Sequence, residues 1–277
     1  MKQTRRARRS ARRKRKEQQA AGCLRLVCLI AILLAGYGLL RTWNIGIPLG
    51  WSVAIGDNPL SPSDFATIDG YVTCTAVPTR RGVDVSEYQE QIDWAQVRTA
   101  GFDFAFIRIG YRGYTTGDIY EDDLARENLA GAKAAGLDVG VYFYAQAVSP
   151  EEAAEEARWC LDYLNGEALA LPVVYDWEYV GGGSRTASMD KATLTECART
   201  FCETIENGGY SSMLYFNPHV GSDLLALQEL RDYPWWLAQY QEQRAYPHKV
   251  DVWQYTETGS VPGIDGEVDI DLMFQYE

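Results

Sequence analysis

The sequence predicts an α/β fold: a TIM-like β/α barrel with eight strands and a reduced set of helices, preceded by one N-terminal transmembrane helix. Three observations carry this. From Arg81 onward, short apolar, β-branched or aromatic runs alternate with Ala- and Glu-rich stretches of helical spacing. Eight strand candidates fit within 197 residues, the first four each followed by a helix and the last joined by shorter connections. No GxGxxG phosphate loop follows an early strand, which disfavours the alternative, an open doubly wound sheet.

The elements follow in order. "RGVDVS" leads to "DWAQVRTAG", "FDFAFIRIG" to "EDDLARENLAGAKAAG", "DVGVYFYAQ" to "SPEEAAEEARWCLDYLNG", and "LPVVYDWEYV" to "MDKATLTECARTFCETIENGG". Strand-helix alternation of this kind implies parallel strands. Gly101, Gly136, Gly166 and Gly208 sit where helix C-caps belong, and "SPEE" opens a helix with an N-cap Ser and a Pro in its first turn. "SSMLYFNP", "WWLAQY", "VDVWQYT" and "DIDLMF" supply the remaining strands.

Ahead of this region the character differs. The formal charge of −12 is uneven: residues 1–41 hold 12 of the 26 basic residues and a single acid, Glu17. The remainder carries 14 basic and 37 acidic residues, a balance of −23 that argues against nucleic acid or anionic lipid as partner of the folded part. Leu26 to Leu40 are 15 consecutive uncharged residues. With Arg25 and Arg41 snorkelling outward, Gly22 to Trp43 approaches the roughly 20 residues of a spanning helix. The expected organisation is a basic cytoplasmic tail (1–21), a signal-anchor helix (22–43), a Pro-containing juxtamembrane stalk (44–80) and a domain outside the membrane (81–277). A cleaved signal peptide and an RNA-binding arm are the alternatives for the N-terminus.

Of six cysteines, Cys74, Cys160, Cys197 and Cys202 lie beyond the apolar span. Without a CxxC, and with only His219 and His248 as histidines, no metal site is expected, nor a cofactor. Cys197 and Cys202 fall on different faces of a helix, so buried free thiols are the expected state. A bridge from Cys160 to one of them stays open.

The chemistry gathers at strand ends, where β/α barrels keep their functional groups. Asp84 ends the first strand, Asp176 and Glu178 the fourth, and Asp269 lies on the eighth. Residues two apart on a strand share a face about 6.6 Å apart, which sets Trp177 on the other side of Asp176 and Glu178. Four carboxylates at one mouth cannot all ionise readily, so at least one should hold a proton near neutrality, as a general acid must. Tyr111, Tyr142, Tyr144, Tyr215, Trp236, Tyr240, Trp253 and Gln254 are the candidate substrate-binding residues. Aromatic faces stacked on sugar rings beside paired carboxylates suit glycosidic acid/base chemistry.

"GVDVSEYQEQIDW", "YDWE", "WWLAQY" and "VWQYTETGSVPGIDGEVDID" together resemble the glycoside hydrolase family 25 lysozymes, over about residues 80–277. The resemblance implies a barrel with fewer helices than usual and cleavage of the β-1,4 bond from N-acetylmuramic acid to N-acetylglucosamine in peptidoglycan. It also implies that Glu178 is the general acid, that Asp176 orients or stabilises a neighbouring group, and that Asp84 and Asp269 line the site. The family pattern VDxN reads here with Asp271 in place of Asn. A chitinase-type DxDxE would need an acid at Val174, which disfavours that activity. The expected partners are glycan strands and, through the N-terminal helix, the cell membrane; the catalytic domain is expected to be monomeric. A catalytically weak, tethered wall-binding module is the competing reading.

Overall fold

The computed structural model describes residues 56–276, and the tail and the Gly22–Trp43 anchor expected from the sequence lie outside the described residues. No helix among the described residues is long and apolar enough to cross a membrane.

The core is a closed eight-stranded barrel. Its strands are β3 (Thr79–Val85), β4 (Phe104–Arg112), β6 (Asp138–Ala145), β7 (Val173–Trp177), β8 (Ser212–Phe216), β9 (Trp235–Ala238), β10 (Val252–Gly259) and β11 (Val268–Phe274). Pairing of β3 with both β4 and β11 closes it, and a short strand, β5 (Ile119–Glu121), extends β4 as an antiparallel flap. Four helices cover the outside: α1 (Trp94–Thr99), α2 (Ala125–Ala134), α3 (Pro150–Leu164) and α4 (Lys191–Asn207).

The expectation of uniformly parallel strands fails at β11, which runs antiparallel to both neighbours. Only residues 260–267 join β10 to β11, too few for the dozen or more that a parallel crossover needs. The reversal puts the start of β11, rather than its end, at the mouth of the barrel. Asp269 is consequently in register with Asp84.

Residues 57–80, read from sequence as a stalk, are instead folded against the barrel. A hairpin of β1 (Phe65–Ile68) and β2 (Tyr71–Cys74) buries Phe65, Val72 and Cys74. Phe65 meets Trp253 edge-on at 5.2 Å between ring centroids, and Tyr71 packs edge-on to Phe102 at 5.4 Å under the Arg81 guanidinium. The strands are only four residues long, so their alternation is too brief to stand out as periodicity.

Two apolar layers result. Inside the barrel, Phe104, Phe106, Val174, Met213, Trp236, Val252 and Met273 fill the lumen; outside it, a larger cluster joins sheet to helices. Gly82 makes room for the inner layer, since a Cβ there would stand 2.2 Å from the Phe104 ring. Ser149 caps α3 by accepting from the Glu152 N–H, with Pro150 in the first turn. Gly101, Gly136 and Gly166 take the left-handed conformation at helix ends as expected, but after α4 it is Gly209 that does so. Gly208 is required for close approach, because a Cβ would meet Leu161 of α3 at 2.3 Å. Cys74, Cys160, Cys197 and Cys202 are buried free thiols.

Candidate active site

The strands deliver Asp84, Asp176, Glu178 and Asp269 to one cavity of about 300 Å³ at the C-terminal mouth of the parallel strands. Two roomier hollows of about 600 Å³ lie elsewhere, and neither gathers buried carboxylates. Asp84 and Asp176 are 5% and 4% exposed, inside the mouth, whereas Glu178 sits half-buried just beyond the end of β7. Trp177 points the other way, into the layer between sheet and helices, as its parity demands.

A hydrogen-bonded chain holds Asp84. Tyr215 Oη and Tyr240 Oη donate to Gln254 Oε1 at 2.8 and 3.1 Å, and Gln254 Nε2 donates to Asp84 Oδ2 at 2.7 Å. The two hydroxyls fix which end of the Gln254 amide faces the carboxyl. Behind Glu178, the buried Gln146 donates from Nε2 to the Glu178 carbonyl at 3.2 Å, and its Oε1 accepts from Thr186 Oγ1 at 2.8 Å. The backbone carrying Glu178 is thereby tied to β6.

Burial is the largest influence on all four carboxyls, and it raises each pKa. Asp84 is pushed well up by burial, then by Asp269 and Asp271. Asp176 is pushed well up by burial and by Glu178, with Arg108 pulling in the opposite direction. Glu178 is raised by burial and by Glu257, and Asp269 reaches about 7 through burial, Glu257 and Glu178. Such a cluster can keep a carboxylic acid beside carboxylates near neutral pH, the distribution that general acid catalysis at a glycosidic oxygen requires.

Tyr142, Tyr144, Tyr215, Trp236, Tyr240 and Gln254 line the cavity as expected. Two expected residues do not. Trp253 faces outward beneath the hairpin, donating from Nε1 to the Gln239 carbonyl at 2.8 Å, because strand alternation cannot turn both Trp253 and Gln254 inward. Tyr111 follows an irregularity in β4 and stacks on Tyr120 of β5 at 5.3 Å; it buttresses Arg108 from the rim.

Several lining residues went unselected in the sequence: Ser86, Tyr88, Gln89, Arg108 and Glu257. Arg108 had a legible signal, since a charge in the apolar run "FAFIRIG" shares the parity of Phe104 and Phe106. It is held by Asp122 Oδ2 at 2.8 Å and Glu87 Oε1 at 3.1 Å, with the Tyr88 ring 5.0 Å away. Tyr88 is 77% exposed and Tyr240 49%, so both rings reach solvent beside the acids.

A closed barrel with carboxylates and tyrosines converging on its mouth defines a glycoside hydrolase type of site. The profile of glycosyl hydrolases family 25 matches residues 83–264, and the chain belongs to that family. It is similar to the autolytic lysozyme of Clostridium acetobutylicum, 28% identical over 192 residues, covering 69% of this chain and 55% of that protein. The chain thus spans about half the length of that relative. Lysozyme M1 of Streptomyces globisporus is 28% identical over 211 residues, covering 68% of this chain and 66% of its own. Among solved structures, the modular autolysin LytC from Streptococcus pneumoniae in complex with a synthetic peptidoglycan ligand shares the fold. Its TM-score is 0.64 at 23% identity, over 76% of this chain and 52% of that one. A family 25 glycosyl hydrolase from Bacillus anthracis gives a TM-score of 0.62 at 20% identity, over 80% of this chain and 96% of that one.

Proposed function

We propose that the protein is a peptidoglycan hydrolase that cleaves the β-1,4 bond between N-acetylmuramic acid and N-acetylglucosamine. The observation that carries this reading is the convergence of Asp84, Asp176, Glu178 and Asp269 on one tyrosine-lined mouth. Family membership and the lysozyme and autolysin relatives support it.

Glu178 is the general acid. It lies half-buried at the edge of the mouth, where it can reach solvent and a leaving oxygen, and burial favours its protonated form. Asp176, deeper and facing Arg108, polarises the substrate's 2-acetamido group as that group attacks the anomeric carbon. Glu178 then deprotonates the water that completes hydrolysis. Asp84 and Asp269 line the opposite wall, and Tyr88 and Tyr240 stack on sugar rings. The Arg-rich tail and the apolar span at 22–43 anchor the chain in the cell membrane with the catalytic domain outside, facing the wall.

The test is digestion of purified peptidoglycan with mass spectrometry of the products. A new reducing end on N-acetylmuramic acid, and a loss of at least about a hundredfold in kcat for Glu178→Gln with unchanged circular dichroism, are expected. Retained turnover in that variant would sink the assignment of the acid; binding without release of reducing sugar would favour a wall-binding module. Cleavage of the domain by protease added to intact cells checks the topology.

A further inference from the structure

A fifth carboxyl lies beneath the four. Asp271, two residues along β11 from Asp269, points into the barrel one layer below the mouth, opposite Gly82, which has no side chain to occupy the space. It is fully buried. Its Oδ1 accepts from Trp236 Nε1 at 2.8 Å, while its Oδ2 meets no donor within the described residues. The Asp271 and Asp84 carboxyls are neighbours that act directly on each other, and Asp84 Oδ2 accepts from Gln254 Nε2. Two carboxylates are acceptors only, so a contact between them needs a proton.

Among the described residues no cation stands beside the pair. The groups facing the pair are Asp269 on β11, Gln254 on β10, Trp236 on β9 and the phenols of Tyr142 and Tyr215 on β6 and β8. Arg108 is committed to Glu87 and Asp122 at the rim, and Arg80, at the other end of β3, to Asp138.

We propose that Asp84 and Asp271 share one proton and that Asp271 is a positioning residue, holding the Asp84 carboxyl against Gln254 at the wall of the cleft. Burial, and then the Asp269 charge, push Asp271 up to about 8. The contact raises Asp84 and lowers Asp271, so Asp271 ionises first and the proton that remains bridges the pair; once that proton too is lost, at higher pH, two anions face each other without a counterion, and Asp84 is driven out of place. The form that keeps the bridging proton is thus the ordered one, and the site carries an alkaline switch separate from ionisation of Glu178.

Asp271→Asn separates these effects. The amide oxygen can accept from Trp236 while its N–H donates to Asp84, so the contact survives without a titrating proton. Infrared difference spectroscopy of the full chain in D2O should show a protonated-carboxyl band near neutrality that disappears on alkalinisation and is missing in Asp271→Asn and Asp84→Asn. The activity arm rests on the peptidoglycan-hydrolase reading. On the alkaline limb, once the bridging proton and that of Glu178 are both being lost, kcat/KM of the natural chain should fall about a hundredfold per pH unit, and that of Asp271→Asn, which has only the Glu178 proton to lose, about tenfold. Asp271→Leu, which removes the contact, should lower kcat about tenfold or more at neutral pH. Absence of the band, or identical alkaline limbs in the natural chain and Asp271→Asn, would overturn the proposal. A chain that shows the band but cleaves no peptidoglycan would overturn the functional reading and leave the shared proton standing.

Discussion

Whether Asp176 is ionised at a given pH is decided by a balance at one residue. Burial and the neighbouring Glu178 favour its neutral form, and Arg108 favours the anion. Replacing Arg108 by Met removes the attraction and pushes the Asp176 pKa further up. If the Asp176 anion polarises the substrate, the acid limb of kcat/KM for Arg108→Met should move to higher pH, by about one unit, with Glu178 still in place. An unshifted limb would mean that Asp176 acts in its neutral form. A second buried pair is structural. Arg112 donates from Nε to Glu156 Oε1 at 2.8 Å, and from its other nitrogens to the Gly117 and Glu152 carbonyls and to Glu155. Burial lifts Glu156 to about 7 despite this partner. Arg112→Leu would strand the Glu156 carboxyl in the core and should cost about 3–5 kcal/mol, measurable by urea denaturation.

At the scale of elements, β3 is shaped by what it lacks. Gly82 admits the Phe104 ring to the barrel axis, and Phe104 packs edge-on to Phe106, which stacks on Trp236 at 4.6 Å. Gly82→Ala forces that ring aside and should destabilise the domain by about 1–3 kcal/mol, read as a lowered urea midpoint with unchanged slope. The β1–β2 hairpin acts from outside: it covers Trp253, and Trp253 shares β10 with Gln254. A chain lacking residues 56–76 should expose that indole, shift its fluorescence to the red and lose thermal stability. An unchanged emission spectrum would show that the hairpin contributes no cover.

The whole molecule is strongly acidic, and its buried carboxyls set how stability follows pH. Asp269 at about 7 and Asp271 at about 8 lie far above the ordinary aspartate value near 3.9. The folded state therefore binds more protons than the unfolded state between these limits, and stability falls as pH rises through the window. The melting temperature should decline from about pH 4 to pH 8 and go on falling above, since Asp84 and Asp176 are also raised well above the ordinary range, and Asp269→Asn with Asp271→Asn should lessen the decline. A melting temperature that rises across that range would contradict the assignment.

What the sequence determined by itself is what depends on near neighbours. Strand and helix periods, the caps at Ser149 and Gly166, and the shared face of Asp176 and Glu178 are local, and so is the placing of acids at strand ends. These were enough to bring four carboxylates to one mouth. Tertiary structure decided the rest because each remaining choice turns on surfaces far apart in the chain. The short 260–267 link reverses β11 and brings Asp269 level with Asp84. The hairpin claims Trp253 and leaves Trp236 to the site, while the flap at β5 draws Tyr111 to the rim. Arg108 and Asp271 acquire their importance only when the barrel closes, since closure strips water from a charge and sets Asp84 above a carboxyl 187 positions away.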